Sequence, residues 1–299
     1  MEQLGIFGDI LNLDEKRVVN ANIPYGIPRP FFNWVGGKMK LYPQIERYIP
    51  REINTYYEPF LGGGGVFWQL VRFGRIRKAV LSDIIPDLVM AYNVVKHHHM
   101  ALLDVMHRHI QYDSRGYYHL IKDAVLNDPI EIAGRFMYLV TKSYRAKMQY
   151  RDGALVPSGY MEHRAIPRQK WDGVLAMCAE ALRLATIESI SYCEIKPSAG
   201  DFVYFDPPYD TNDDKPTRQF YASVWARGDL VALRDFARDL SERGVLVMLS
   251  NRDTDFVRTL FNGFYIHPIV SVSNMGGAGS KAGIMPMSEI LITNYPISW

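Results

Sequence analysis

With 299 residues, 48% of them hydrophobic and 22% charged, the chain has the length and apolar content for a large globular core. Its net charge of +2 excludes a globally basic protein, and Asp, Lys, Arg or His interrupts every apolar run before membrane-spanning length. Met1-Glu2-Gln3 opens without a basic and apolar leader, so Cys178 and Cys193 read as reduced thiols of a cytoplasmic protein, and two cysteines offer no zinc spacing.

Residues 1–30 lack periodicity and carry Pro24, Pro28 and Pro30, which reads as an irregular extension. In Phe31-Phe32-Asn33-Trp34-Val35-Gly36-Gly37-Lys38 the paired glycines let the main chain approach a ligand, and Lys38 adds a cation. Thr55-Tyr56-Tyr57-Glu58-Pro59-Phe60 then runs into Leu61-Gly62-Gly63-Gly64-Gly65-Val66, the pattern of a strand, a glycine loop and a helix start that accepts a nucleotide-like ligand. The acid Glu58 and the lack of a loop lysine argue against a Walker-type phosphate cradle. Val80-Leu81-Ser82-Asp83 reads as a second strand, ending 21 positions after Gly62 in an acid suited to ribose hydroxyls.

Helical spacing extends from Pro86 to about Ile110, with Leu88, Val89, Tyr92 and Val95 on one side. His97, His98, His99, His107 and His109 lie along it without a complementary acid or Cys pattern, so no metal is predicted and a solvated face is. Further helices are predicted over Tyr117–Leu126, Ile130–Arg145 and Trp171–Ile187. Between the last two, Ala146–Ile166 is non-helical, with turn signals at Asp152-Gly153 and Ser158-Gly159. Residues 135–170 hold eight cations against two acids. Lys142, Arg145, Lys147, Arg151, Tyr160 and Arg164 therefore form a candidate polyanion-contacting set, suited to phosphates and base edges, which the resemblance below makes the predicted DNA-contacting set.

Phe202-Val203-Tyr204-Phe205 is a β-rich run that stops at Asp206-Pro207-Pro208-Tyr209. Two prolines end the strand and hold the Asp206 carboxylate, the Pro207 carbonyl and the Tyr209 ring at the carboxyl edge of a sheet, where open α/β folds bind ligands. Two fixed acceptors beside an aromatic face suit a planar group carrying an NH2, such as adenine. Phe220-Tyr221 could close over such a base. Val245–Asn251 reads as a buried strand, and residues 274–283 as a mobile loop between the strands of a closing hairpin, 264–272 and 288–295.

The ordered set Phe32–Lys38, Glu58–Gly64, Ser82-Asp83, Gly200–Tyr209 and Ser288–Tyr295 resembles the Dam-type, D-P-P-Y DNA adenine-N6 methyltransferases over nearly the whole chain. The resemblance implies an α/β, Rossmann-like S-adenosylmethionine (AdoMet) methyltransferase domain over 31–96 and 191–299, its sheet covered by helices on both faces. It implies a mainly helical target-recognition insert over 97–190. Trp34, Lys38, Glu58, Pro59, Phe60, Gly62, Gly63 and Gly64 would surround the cofactor, Asp83 its ribose, and Asp201 and Phe202 its adenine. Asp206, Pro207, Pro208 and Tyr209 would hold a flipped adenine of double-stranded DNA, methylated directly with release of S-adenosyl-L-homocysteine and no metal. A bacterial, archaeal or phage enzyme with a cognate restriction endonuclease as partner fits the same family. Two positions depart from its pattern: Ile85 stands where an Asn is usual, and Thr141–Met148 replaces the Asn-Gly-Leu-x-Arg run of GATC-reading members, which leaves the recognition sequence open.

Three rival readings remain at this level. An RNA base or a protein amide could be the acceptor, although Asp at the first motif position favours adenine N6. The glycine loop could serve a nicotinamide cofactor, which leaves residues 206–209 unexplained. The chain could also bind DNA without turnover, which the intact motifs oppose.

Overall fold

A computed structural model describes residues 28–146, 148–151, 154–167, 169–211, 225–273 and 285–297. In chain order its first half contains α1 (Tyr42–Ile45), β1 (Tyr56–Glu58), α2 (Gly65–Arg72), β2 (Ala79–Ser82) and the long α3 (Pro86–Gln111). Then come α4 (Arg115–Asp123), α5 (Pro129–Lys142), the pair β3 (Met148–Arg151) and β4 (Ala154–Pro157), and α6 (Val174–Leu182). The remainder is β5 (Ala185–Glu188), β6 (Phe202–Phe205), α7 (Arg227–Glu242), β7 (Leu246–Arg252), α8 (Asp255–Leu260), β8 (Tyr265–Ser273) and β9 (Met285–Thr293).

Seven strands form one sheet in the order β5-β2-β1-β6-β7-β9-β8. The first five are parallel, and β9 and β8 complete the sheet antiparallel to their neighbours. After β1 the chain builds outward through β2 and β5, then returns to the other side of β1 with β6. The order reverses between β1 and β6, which opens a crevice at their carboxyl ends. Buried on both faces, β6 reads as the unbroken apolar run Phe202–Phe205.

Alternate residues of the central strands feed two cores. Phe202, Tyr204, Met248 and Leu291 pack with Phe31, Trp68, Tyr92 and Phe136. Val203, Phe205, Val247 and Leu249 pack with Leu230, Leu233 and Leu240 of α7 and Val257 of α8. Helices therefore cover both faces, as expected for a Rossmann-like methyltransferase.

Side chains occupy several outward groups of both edge strands. On β5, Lys96 Nζ donates to Ala185 O at 2.9 Å and Asn93 Nδ2 to Ile187 O at 3.3 Å. On β8, Gln44 donates to Val270 O at 2.8 Å and accepts from Val270 N at 3.1 Å, and Pro268 has no N–H to offer.

The predicted helices form with adjusted ends. Ser114 Oγ caps α4 by accepting from Tyr117 N, and Asp128, followed by Pro129, caps α5. The helix expected over Trp171–Ile187 ends at Leu182, and residues 185–188 pair with β2 instead. Their burial alternates, Ala185 and Ile187 in and Thr186 and Glu188 out, so the period there is that of a strand. The histidine-bearing helix runs to Gln111 with a break at His98 (φ −139°, ψ 31°). His97 and His98 are exposed, but His109 is buried, which corrects the solvated-face reading at that position. The basic stretch after α5 folds partly into the hairpin of β3 and β4, with Arg151 opposite Ala154. The turn at 152–153, the loop at 274–283 and residues 1–27 lie outside the described residues.

Candidate active site

Three neighbouring parallel strands end in acids at the same edge: β1 in Glu58, β2 in Ser82-Asp83, and β6 in Phe205-Asp206. Glu58 Oε2 accepts from Tyr56 OH at 2.8 Å and from Phe67 N in the first turn of α2 at 3.0 Å. Its interior position pushes its pKa up to about 8 against the pull of these two donors. Asp83 accepts from Gly62 N at 3.0 Å and Ile85 N at 3.1 Å, and burial raises it to about 6. The Ile85 main chain thus helps hold the acid, whatever side chain the position carries.

The glycine loop is fixed by geometry. Gly62 (φ +47°) has no room for a Cβ, which would lie 2.7 Å from Cδ1 of the Trp34 indole. A Cβ on Gly65 would lie 2.8 Å from Lys38 N, so α2 starts directly against the 36–39 segment. Trp68 Nε1 donates to Gly63 O at 3.0 Å, and Tyr92 OH to Gly62 O at 3.2 Å. Between this loop and the 30–39 segment lies a cleft of about 260 Å³, lined by Phe32, Trp34, Gly37, Met39 and Gly63 among others. Pro59 is buried, and Phe60 stacks on Tyr192 at 5.4 Å.

Lys38 joins this cleft to the Asp-Pro-Pro-Tyr turn. Its buried Nζ donates to Gly36 O at 2.8 Å and Asp206 Oδ2 at 2.7 Å, and lies 4.9 Å from the centre of the Tyr209 ring. Ser250 Oγ donates to Asp206 Oδ1 at 2.8 Å and lies 2.9 Å from Tyr204 OH. Tyr209 OH donates to Glu289 Oε2 at 2.8 Å. Behind the turn, Asp210 N donates to Asn251 Oδ1 at 3.0 Å, while its carboxylate accepts from Arg227 Nε at 2.9 Å and Thr254 Oγ1 at 2.8 Å. The Asp206–Tyr209 turn is held from below by β7, β9 and the first turn of α7.

The profile of the D12 class N6 adenine-specific DNA methyltransferases matches residues 34–275 of this sequence, a span from the Trp34 segment to past β8. The chain belongs to that family. It is an adenine-specific DNA methyltransferase, and enzymes of this kind use AdoMet as methyl donor. The type II methyltransferase M1.LlaDCHI of Lactococcus lactis subsp. cremoris is 28% identical, with 95% of this chain and 99% of that protein aligned. The type II methyltransferase M.MjaIII of Methanocaldococcus jannaschii is 29% identical over 89% of this chain and 99% of that one. A DNA adenine methylase of Vibrio cholerae is 28% identical over 90% and 96%.

In this methyltransferase Trp34, Lys38, Gly62, Gly63 and Asp83 gather around one cleft and its rim, with Asp206–Tyr209 beside them, but not every predicted residue joins them. Asp201 precedes β6, at the opposite, amino edge of the sheet, where its carboxylate accepts from Thr55 N at 3.0 Å and Ser198 N at 2.8 Å. Phe202 next to it is wholly buried in the core. Both are removed from the cofactor set, because a strand's two ends lie on opposite edges of the sheet.

Two of the predicted DNA-contacting residues bond within the protein. Lys142 is buried, its Nζ donating to Asp113 Oδ2 at 2.6 Å and Arg164 O at 2.7 Å and lying 4.7 Å from the Tyr160 ring centre. Tyr160 OH donates to Asp113 Oδ1 at 3.3 Å. Both tie the 158–164 segment to α5. Arg164 is half-buried, Arg145 lies in the turn after α5 and Arg151 ends β3. Lys147 and Phe220 lie outside the described residues.

The sequence reading missed Ser250, Glu289 and Asp210. A usable signal existed for the first: Ser250-Asn251 ends the apolar run Val245–Leu249 as Asp206 ends Phe202–Phe205.

Proposed function

We propose that this methyltransferase binds AdoMet in the cleft between Trp34 and the glycine loop, and methylates N6 of an adenine swung out of double-stranded DNA onto Asp206–Tyr209. The fit to the cofactor rests on the chain's own atoms. Gly62 and Gly64, both at positive φ, expose backbone where a Cβ would intrude, Trp34, Phe32 and Met39 supply apolar walls, and Asp83 reaches the Gly62 amide. Asp83 would take the ribose hydroxyls. Residues after β5, whose Glu188 carbonyl accepts from Asp83 N, replace Asp201 and Phe202 on the adenine side. The bound cofactor supplies a methyl group on a sulfonium, ready for direct displacement.

The remaining work falls to the turn. Asp206 and the Pro207 carbonyl accept the two amine hydrogens, and Tyr209 stacks on the base, which keeps the nitrogen lone pair aimed at the methyl. As the N–CH3 bond forms, positive charge grows on the amine beside the Asp206 carboxylate, and a proton then leaves towards that acceptor. Lys38 Nζ shares Oδ2 with the incoming amine or moves off it, since each carboxylate oxygen has two acceptor sites. The helical and hairpin segment beginning near residue 97 is proposed to read the DNA, with Arg145, Arg151 and Arg164 towards the phosphates. The names of the type II relatives support a cognate restriction endonuclease as partner.

The carrying observation is Asp206 at the switch point, locked by Lys38 and Ser250. Single-molecule sequencing of genomic DNA from cells expressing wild type or Asp206→Ala tests it. A short motif methylated at adenine with wild type alone is expected. Equal methylation with Asp206→Ala overturns the assignment.

A further inference from the structure

The motif Ser288–Tyr295 has so far no chemical role. Its acid, Glu289, is buried at 7% exposure on β9, on the sheet face that carries Tyr204 and Ser250. Registered opposite Arg252 of β7, it would ordinarily pair with the guanidinium. Instead Glu289 Oε2 takes the Tyr209 hydroxyl at 2.8 Å, while Arg252 Nε is buried with no partner among the described residues. Burial and the nearby Asp206 and Glu289 carboxylates hold the Tyr209 phenol well above its ordinary range, so it remains the donor.

We propose that Glu289 is a positioning residue for methyl transfer, acting through Tyr209: its carboxylate fixes the ring and enriches it in electron density, so that the ring face favours a base that is becoming cationic. This rests on the stacking role given to Tyr209 above. A charge-assisted bond from a phenol shifts electron density into the ring and strengthens its attraction for positive charge. The structure already contains a cation on that ring, the Lys38 ammonium 4.9 Å from its centre. The target adenine is neutral when it arrives and gains charge only as the methyl is transferred, so the interaction grows along the reaction coordinate, which is what accelerates it.

The test is a cycle of Glu289→Gln, Tyr209→Phe and the double variant, read as single-turnover methylation rate at saturating duplex and as the dissociation constant for the same duplex. Both substitutions keep shape: Gln still accepts the hydroxyl, and Phe keeps the ring. Glu289→Gln is expected to slow the rate about three- to tenfold with duplex affinity within about twofold, because a charge effect confined to the transition state is of cation–π size. Adding Glu289→Gln to Tyr209→Phe should cost less than a further twofold. A wild-type rate in Glu289→Gln, or an undiminished defect in the Tyr209→Phe background, overturns the proposal, since a purely structural acid would show no coupling to the hydroxyl. Tyr209→Ala separates the two levels. If it turns over like wild type, the stacking reading falls and this proposal with it; if it is slow while Glu289→Gln is not, only the role of Glu289 falls.

Discussion

Two regions of this methyltransferase carry concentrated charge, and they use it in opposite ways. At the carboxyl edge of the sheet, Lys38, Asp83 and Asp206 end strands or line loops and converge on one crevice. In the segment from Asp113 to Lys170 the cations divide. Lys142 is sealed in the interior against Asp113, burial lowers Lys170 to about 8, and Arg135 pairs with Asp87. An acid that follows an apolar parallel strand has only one place to go, the edge where ligands bind. A lysine on an amphipathic helix can face either way, so a count of cations does not by itself locate a polyanion surface.

Stability measurements should break the comparison most sharply. Lys142→Ala leaves the half-buried Asp113 carboxylate to the Tyr138 and Tyr160 hydroxyls alone and should lower unfolding free energy by about 2 to 4 kcal/mol. The salt slope of DNA binding should stay at its wild-type value in whatever fraction is folded. Lys38→Met at the crevice should do the reverse, with methylation slowed on the order of a hundredfold and a much smaller change in denaturant midpoint. A large loss of stability with normal turnover in Lys38→Met would erase the distinction.

The two regions should also answer pH with opposite sign. Burial lowers His109 to about 4, so the unfolded chain binds a proton between pH 6.5 and about 4 that the folded chain does not. Its contribution is complete above pH 6.5 and is lost on acidification, with a slope of at most about 1.4 kcal/mol per pH unit. His109→Phe, which keeps a ring against Tyr138, should flatten that limb. Glu58, raised to about 8, holds its proton more tightly when folded, so it weakens the fold as pH rises from 4.5 towards 8. Glu58→Gln retains an acceptor for Tyr56 OH and Phe67 N and should remove that alkaline loss, measured as thermal midpoint across the pH series.

The smallest expected effect belongs to the hairpin. Arg151→Ala should weaken DNA binding several-fold and reduce the slope of log affinity against log salt by about one. An unchanged slope would move the phosphate-contacting surface elsewhere.

This contrast also explains what could be read from the residues alone. Apolar runs closed by Glu58, Asp83 and Asp206 identified the strands and the edge at which those acids gather, because topology leaves such residues little choice. Asp201 was assigned to the wrong edge: an acid before a strand resembles an acid after one in one dimension, and only the direction of β6 separates them. Lys142 and Tyr160 both bond to Asp113, 29 and 47 residues earlier, a partnership their own surroundings in the chain do not announce. Ser250 closes its apolar run as Asp206 does, whereas the place of Glu289 depends on the register of β9 beside β7, which no local pattern reports.

The stoppered margins of the sheet have a consequence for life on a crowded polymer. Many copies of a DNA-modifying enzyme can accumulate along one duplex at high local concentration, where an open ribbon edge would invite intermolecular strand addition and aggregation. Here Lys96, Asn93 and Gln44 already occupy outward backbone groups, and Pro268 withholds one. At those positions of the described residues the edge is closed to a neighbour's strand, which lowers the tendency of crowded copies to pair edge to edge.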